Sequence, residues 1–168
     1  KELDQLGGFD PYSASKVGAE IVTDSYIQSF FKNSILKNKI STVRAGNVIG
    51  GGDFSKNRLV PDIIFAINNR KKLKIRNPQY IRPWQHVLDP LLGYLMLAKK
   101  QYLNKINYNQ HAWNFGPSNK NFKKVIDVVK YIKKLHNFDY VISTNERFKE
   151  TKYLKLNSSK AKKKLNWT

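Results

Sequence analysis

The stretch ISTVRAGNVIGGGD, residues 40 to 53, restricts the possible folds of this chain more than any other. A β-branched run that ends in three glycines reads as a buried strand leaving into a flexible loop. Helical patterns lie on both sides of it. Upstream, Asp10-Pro11 pairs an N-cap acceptor with a proline at the first helical position. That start predicts a helix from about Tyr12 to Phe31, with Val22, Tyr26 and Phe30 at i, i+4 and i+8. Downstream, LVPDIIFAINN predicts a short helix and KLKIR a short strand. HVLDPLLGYLMLAKKQYL predicts a helix with Leu91, Leu95, Ala98 and Tyr102 on one face, and AWNFG a strand closed by Gly116-Pro117. In FKKVIDVVKYIKKLH the apolar positions Val125, Val128, Val129, Ile132 and Leu135 point inward while lysines point out. YVIST and YLKL read as edge strands, and SSKAKKKLNW as a terminal helix capped by Ser158 or Ser159. Helices alternating with strands predict α/β packing around a mainly parallel sheet.

At 168 residues the chain can bury the core of one domain, and 40% hydrophobic content suits a globular protein. No apolar run approaches the ~20 residues of a membrane-spanning helix, so no membrane partner is expected. The N-terminus, KELDQLGG, is neither a signal peptide nor a transit peptide. Without cysteine there is no disulfide, no cysteine-ligated zinc and no thiol nucleophile, and a reducing, cytoplasmic setting is the default expectation. The formal charge of +19 has two readings: a surface for polyanions, or the lysine and asparagine drift of an AT-rich genome. Only six of the 31 basic residues are arginines, the side chain that does most base-edge reading, which makes nucleic acid an unlikely specific partner.

Tyr12 and Lys16 lie four positions apart, on one face of the expected helix. A free phenol titrates near ~10, too high for a base at neutral pH. A neighbouring ammonium favours the phenolate, so such a pair can serve as acid and base. The spacing alone also suits two solvated side chains on a helix surface. No G-x-G-x-x-G or P-loop occurs in the chain.

PYSASK, followed by RAGNVIGGG, resembles the extended short-chain dehydrogenase/reductase family, whose members remodel nucleotide sugars. GNVIGGGDFSKNRLVPDII, IRNPQYIRPWQHVLDPLLGYL, AWNFGPSN and YLKLNSSKAKKKLNW extend the likeness from Gly7 to Trp167. They resemble most the 4,6-dehydratases that act on CDP-glucose, rather than those for dTDP- or GDP-sugars. The resemblance implies the C-terminal part of an NAD(P)-binding Rossmann-like fold, residues 1–168 forming one partial unit. That unit is expected to hold the end of the Rossmann domain and the smaller substrate-binding region. The cofactor-binding half and a Thr-Asp-Lys segment would lie upstream, so the chain reads as part of something longer and is expected to be inactive alone.

In that scheme NAD is the cofactor and CDP-glucose the substrate. Tyr12 would take the proton of the sugar 4-hydroxyl as hydride leaves C4, and Lys16 would hold the nicotinamide ribose. Water would then be lost across C5 and C6, and the hydride returned to C6, giving CDP-4-keto-6-deoxyglucose. Val48 would lie beside the nicotinamide. Asn47, Arg58, Leu59, Lys74, Arg76, Arg82, Asn114 and Glu150 would contact the nucleotide sugar. Arg82 suits a diphosphate through its fork geometry, or else pairs with Asp89 or another carboxylate. The family carries His-Glu-Ala where this chain has Lys149-Glu150-Thr151, which keeps Glu150 in register. His86 reads as a structural histidine, His111 and His136 as surface residues, and Trp84 and Trp113 as packing residues. No metal site is expected. The family commonly pairs through helices, so a homodimer or larger oligomer is expected. Two rival readings are a related nucleotide-sugar epimerase and a basic module that binds polyanions. A third is a non-catalytic remnant produced by truncation.

Overall fold

The computed structural model describes residues 1–7, 10–106, 111–118, 121–143 and 151–168. Among the described residues five α-helices alternate with seven short strands: α1 (Pro11–Tyr26), β1 (Thr42–Ala45), β2 (Asn47–Ile49), α2 (Leu59–Asn68), β3 (Leu73–Ile75), β4 (Ile81–His86), α3 (Leu88–Tyr102), β5 (Ala112–Phe115), β6 (Phe122–Lys124), α4 (Val125–Leu135), β7 (Tyr140–Ile142) and α5 (Ser159–Leu165). They divide into two units. The first comprises Lys1–Ala45, Leu88–Gly116 and Leu156–Thr168, and the second Gly46–Val87 and Pro117–Lys155.

In the first unit, α1 begins as expected. The Asp10 carboxylate accepts from the Ser13 N–H at 3.0 Å, and Pro11 occupies the first turn. The helix continues to Phe31, but its last turn, Ile27–Phe31, widens to a π-helix. A 3-10 helix, Ile35–Lys39, leads to β1, which runs parallel to β5 with Thr42 opposite Ala112. Leu97, Trp113, Phe115, Ala161, Leu165 and Trp167 form the core. Trp113 thus packs as expected. The Phe115 and Trp167 rings meet edge to face at 5.3 Å, and Tyr94 adds a second edge contact to Phe115 at 5.2 Å. The buried row of α3 is Pro90, Gly93, Leu97 and Gln101. The row of Leu91, Leu95 and Tyr102 is exposed, because Gly93 admits the Phe115 ring where a larger residue would hold the helix off. Ser158 caps α5 by position alone: its hydroxyl turns instead to Gly116.

In the second unit, β2 pairs parallel with β4, β4 pairs antiparallel with β6, and β3 pairs parallel with β7. The core comprises Ile63, Ala66, Leu73, Ile75, Ile126, Val129 and Phe138. The α/β class holds, but the one mainly parallel sheet becomes three small ones. One of the breaks falls at Gly46. The single strand expected over residues 40 to 50 breaks there into β1 and β2, where the backbone passes so close to Pro83 that a Cβ would stand 2.8 Å from its carbonyl oxygen. Two further readings are corrected. YLKL forms no strand beyond a bridge between Tyr153 and Ile81. In α4 Val125, Val129 and Ile132 face the core as expected, but Ile126 joins them and Leu135 is 63% exposed at the helix end.

Candidate functional site

In the first unit, capping by Asp10 fixes the first turn of α1 and with it the direction of Tyr12. The Ser13 hydroxyl bonds the second Asp10 oxygen at 2.6 Å, and these two contacts hold the Asp10 carboxyl below its ordinary value. The Tyr12 side chain is 67% exposed, and the Lys16 Nζ stands 5.4 Å from the centroid of its ring. Lys16 joins no ion pair among the described residues, so its ammonium is open to an incoming group. One turn further on, the Glu20 carboxylate accepts from Arg44 Nε at 2.7 Å and Nη2 at 2.5 Å. That fork ties α1 to β1 and raises the Arg44 guanidinium further above its already high value. Asn114 is 1% exposed; its Nδ2 donates to the Asn157 carbonyl at 3.3 Å, and its Oδ1 has no partner among the described residues.

In the second unit, the chain leaving β2 arches over the start of α2 and encloses a cavity of about 720 Å³. Val48, the glycine loop, Phe54 and Asn57 line one side; Val60, Pro61, Ile64 and Phe65 line the other. Gly52 makes the arch possible with φ +77°. Asp53 accepts from the Ser55 N–H at 3.0 Å, which lowers its pKa, and stands 3.9 Å from Arg58. Asp62, also on the wall, is pushed up by burial, against the opposing pull of the Asn57 N–H and Arg76.

Of the expected residues, Val48 lines this cavity, and Arg58 and Leu59 stand at the entry to α2 beside it. Asn47 pairs with Trp84 in the ladder and Lys74 lies mid-strand in β3, both outside the wall. Arg82 is likewise outside: its Nη1 donates to the carbonyls of Ile81 and Thr151, at 3.1 and 2.8 Å, and its guanidinium lies 5.3 Å from the Tyr80 ring. Trp84 donates to the Lys123 carbonyl at 3.2 Å. Glu150 lies outside the described residues. His111 is no free surface residue, since its Nε2 stands 3.2 Å from Asp24. The sequence reading missed Asp53, Phe54 and Asn57. A Phe set among Gly, Asp and Ser was the available signal, and Phe54 is 92% exposed. Among the described residues no group of His, Asp and Glu could hold a metal ion.

The same α/β arrangement recurs in solved structures. dTDP-glucose 4,6-dehydratase from Bacillus anthracis, in complex with NAD, matches 99% of this chain and 49% of its own at a TM-score of 0.77 and 22% identity. UDP-glucuronic acid 4-epimerase from Bacillus cereus, in complex with UDP-glucuronic acid and NAD, matches 96% and 48% at a TM-score of 0.76 and 17% identity. The fold is therefore that of the extended short-chain dehydratases and epimerases. Residues 1–168 match the model of the GDP-mannose 4,6 dehydratase family, and the chain belongs to that family. CDP-glucose 4,6-dehydratase from Salmonella typhimurium is 41% identical over 99% of this chain, which spans 48% of that protein. The chain thus spans about half the length of the dehydratase it resembles.

Proposed function

We propose that this chain carries the catalytic Tyr-Lys helix and the substrate-binding region of an NAD-dependent CDP-glucose 4,6-dehydratase. The observation that carries the reading is the 41% identity over 99% of the chain to the Salmonella typhimurium enzyme of that name. An exposed Tyr12 with Lys16 beside its ring, open to an incoming hydroxyl, fits a nicotinamide ribose and a sugar 4-hydroxyl. Tyr12 Oη takes the proton of the 4-hydroxyl as C4 is oxidised to a ketone. Lys16 donates to the ribose and orients it beside the Tyr12 oxygen. NAD, when bound, supplies hydride acceptance from C4 and hydride return to C6, and ends unchanged. Val48 would help to hold the nicotinamide. The C4 ketone acidifies C5–H, water leaves across C5 and C6, and the product is a 4-keto-6-deoxy sugar.

Asn47, Arg58, Leu59, Lys74, Arg76, Arg82, Asn114 and Glu150 form the proposed contacts to the nucleotide sugar. Arg82 and Arg58 supply charge-assisted donors to the diphosphate. The unpartnered Oδ1 of Asn114 supports its inclusion. The enzyme acts in the cytoplasm as a homodimer or larger oligomer.

The test is turnover by the full-length protein containing this chain, with CDP-glucose and dTDP-glucose offered separately, in wild type and Tyr12→Phe. Conversion of the CDP sugar alone, lost in the variant, is the expected result. Turnover of neither sugar, or an unaffected variant, overturns it. The epimerase reading draws on the shared fold of the Bacillus cereus enzyme; it predicts inversion at a sugar carbon with no loss of water.

A further inference from the structure

We infer that the end of the first unit from which β1 and β5 start is a docking surface for the anionic headgroups of a lipid membrane. Three separate stretches bring lysines together there. The C-terminal turn of α3 carries Lys99, and Lys105 folds back onto it through its N–H to the Lys100 carbonyl at 2.9 Å. α5 adds Lys162, Lys163 and Lys164, joined to α3 by Lys100 Nζ donating to the Lys164 carbonyl at 2.5 Å. The 3-10 helix before β1 adds Lys39, whose ammonium lies 6.0 Å from the Tyr102 ring, and Gln101 Nε2 bonds the Asn38 carbonyl at 3.2 Å. Ala161 and Leu165 take the inward positions of α5, so the three lysines between them all face out.

The carboxylates of this unit do not neutralise the cluster. Glu2 faces the Asn114 N–H, Asp4 lies in the field of the Arg44 guanidinium, Asp10 caps α1 and Glu20 holds Arg44. Asp89 opens α3, ten residues and roughly 15 Å along the helix from Lys99. Asp24 alone stands at the start of β5, where it is taken up by His111. A cation in the last turn of each helix is ordinary complementarity to the dipole. A cluster assembled from three stretches exceeds that need and repels itself unless an external anion is present.

The position separates the cluster from the proposed chemistry. Ligands of parallel α/β sheets sit beyond the carboxyl ends of the strands, and these lysines surround the opposite ends. Glu20 pairs with Arg44 late in β1 and Asp24 with His111 just before β5, so α1 runs antiparallel to the strands. Tyr12 is therefore roughly 18 Å along α1 from Asp24, at the end of the helix remote from the cluster.

The chemistry selects a membrane over a nucleic acid. The cluster contains no arginine and so lacks the fork that reads base edges. Lysines interspersed with exposed apolar groups suit a headgroup layer, to which each basic side chain adds attraction. Tyr102, 78% exposed, and Leu103, 45% exposed, provide those groups in the midst of the lysines. The absence of a spanning helix among the described residues concerns crossing a bilayer, not resting on it.

Vesicle co-sedimentation of the full-length protein tests the assignment, with phosphatidylcholine alone and with roughly 30 mol% phosphatidylglycerol. The protein is expected to sediment with the anionic vesicles only and to be released by about 0.5 M NaCl. Lys99→Glu/Lys162→Glu/Lys163→Glu should lower partitioning at least ~10-fold. Reversal of equal charge in the second unit, Lys71→Glu/Lys130→Glu/Lys134→Glu, should change it less than ~3-fold. Tyr102→Ser, which leaves the charge intact, should reduce it by about 3-fold and serves if the triple variant does not melt cooperatively. Equal binding to neutral vesicles, equal losses in both triple variants, or salt-sensitive binding of a single-stranded oligonucleotide without vesicle binding would each overturn it.

Discussion

The Ser158 hydroxyl closes a ring with a single residue: its Oγ accepts from the Gly116 N–H at 2.7 Å and donates to the Gly116 carbonyl at 3.0 Å. The end of β5 is thereby joined to the start of α5 inside the protein. Ser158→Ala leaves both buried backbone groups unpaired, so a loss of about 2 kcal/mol is expected in urea unfolding. A change below about 0.5 kcal/mol would mean water replaces the hydroxyl without cost.

Gly93 meets Phe115 where no side chain fits. A Cβ at that position would stand 2.3 Å from Phe115 Cε1. Gly93→Ala should destabilise by about 1–3 kcal/mol through overpacking. Combination with Phe115→Leu should recover part of that loss, a non-additivity that a double-mutant cycle measures directly.

The half-buried fork between Arg44 and Glu20 predicts an asymmetry. Glu20→Ala strands a guanidinium and should cost about 2 kcal/mol, because a partly buried cation loses its partner. Arg44→Lys keeps the charge but loses the two-point contact and should cost about 1 kcal/mol. Equal effects of the two substitutions in chemical denaturation would remove the bidentate geometry as the cause.

Lys160 predicts a dependence on pH. Burial pushes its amine down to about 8, against the opposing pull of Glu2, although Nζ bonds the Ala112 carbonyl at 2.6 Å and lies 4.2 Å from the Trp113 ring. Below about 8 the amine is protonated in both states and the burial cost is fully present. Between about 8 and the ordinary lysine value of 10.5 the unfolded chain binds a proton that the folded chain does not, so stability rises with pH across that window. Urea midpoints at about pH 7.5 and about pH 9.5 should differ more in the wild type than in Lys160→Met, and equal differences would refute the assignment.

Tyr12→Phe should lower kcat for the CDP sugar by about 10²–10⁴-fold with little change in KM, the signature of a lost acid-base group. A raised KM with kcat intact would make Tyr12 a binding residue instead.

What could be seen in advance depended on how local the cause was. Asp10-Pro11 announced α1, and the i, i+4 spacing placed Lys16 over Tyr12, because both effects act within one or two helical turns. The apolar stripe of α4 was visible for the same reason, apart from Ile126 and the helix end at Leu135. The break at Gly46 was not visible, since TVRA and NVI have the same β-branched character and the cause, Pro83, lies far along the chain. Nor was the buried row of α3, which depends on where Phe115 and Trp167 come to rest. The cavity beside Val48 escaped because an arch of Gly, Asp and Ser residues has no periodicity. Arg82 was legible as a basic side chain, but not its bond to the Thr151 carbonyl, sixty-nine residues away.

The first unit is assembled from three separate stretches of chain, the last beginning at Leu156. Phe115 cannot meet Trp167 until that final stretch has been synthesised. At translation rates of about 5–20 residues per second, roughly 3–10 s separate the emergence of the two residues from the ribosome. Throughout that interval Leu97, Trp113 and Phe115 lack the partners that later bury them. The nascent chain therefore presents chaperones with an apolar surface made by the order of its segments, a vulnerability that lasts until α5 and Trp167 have emerged.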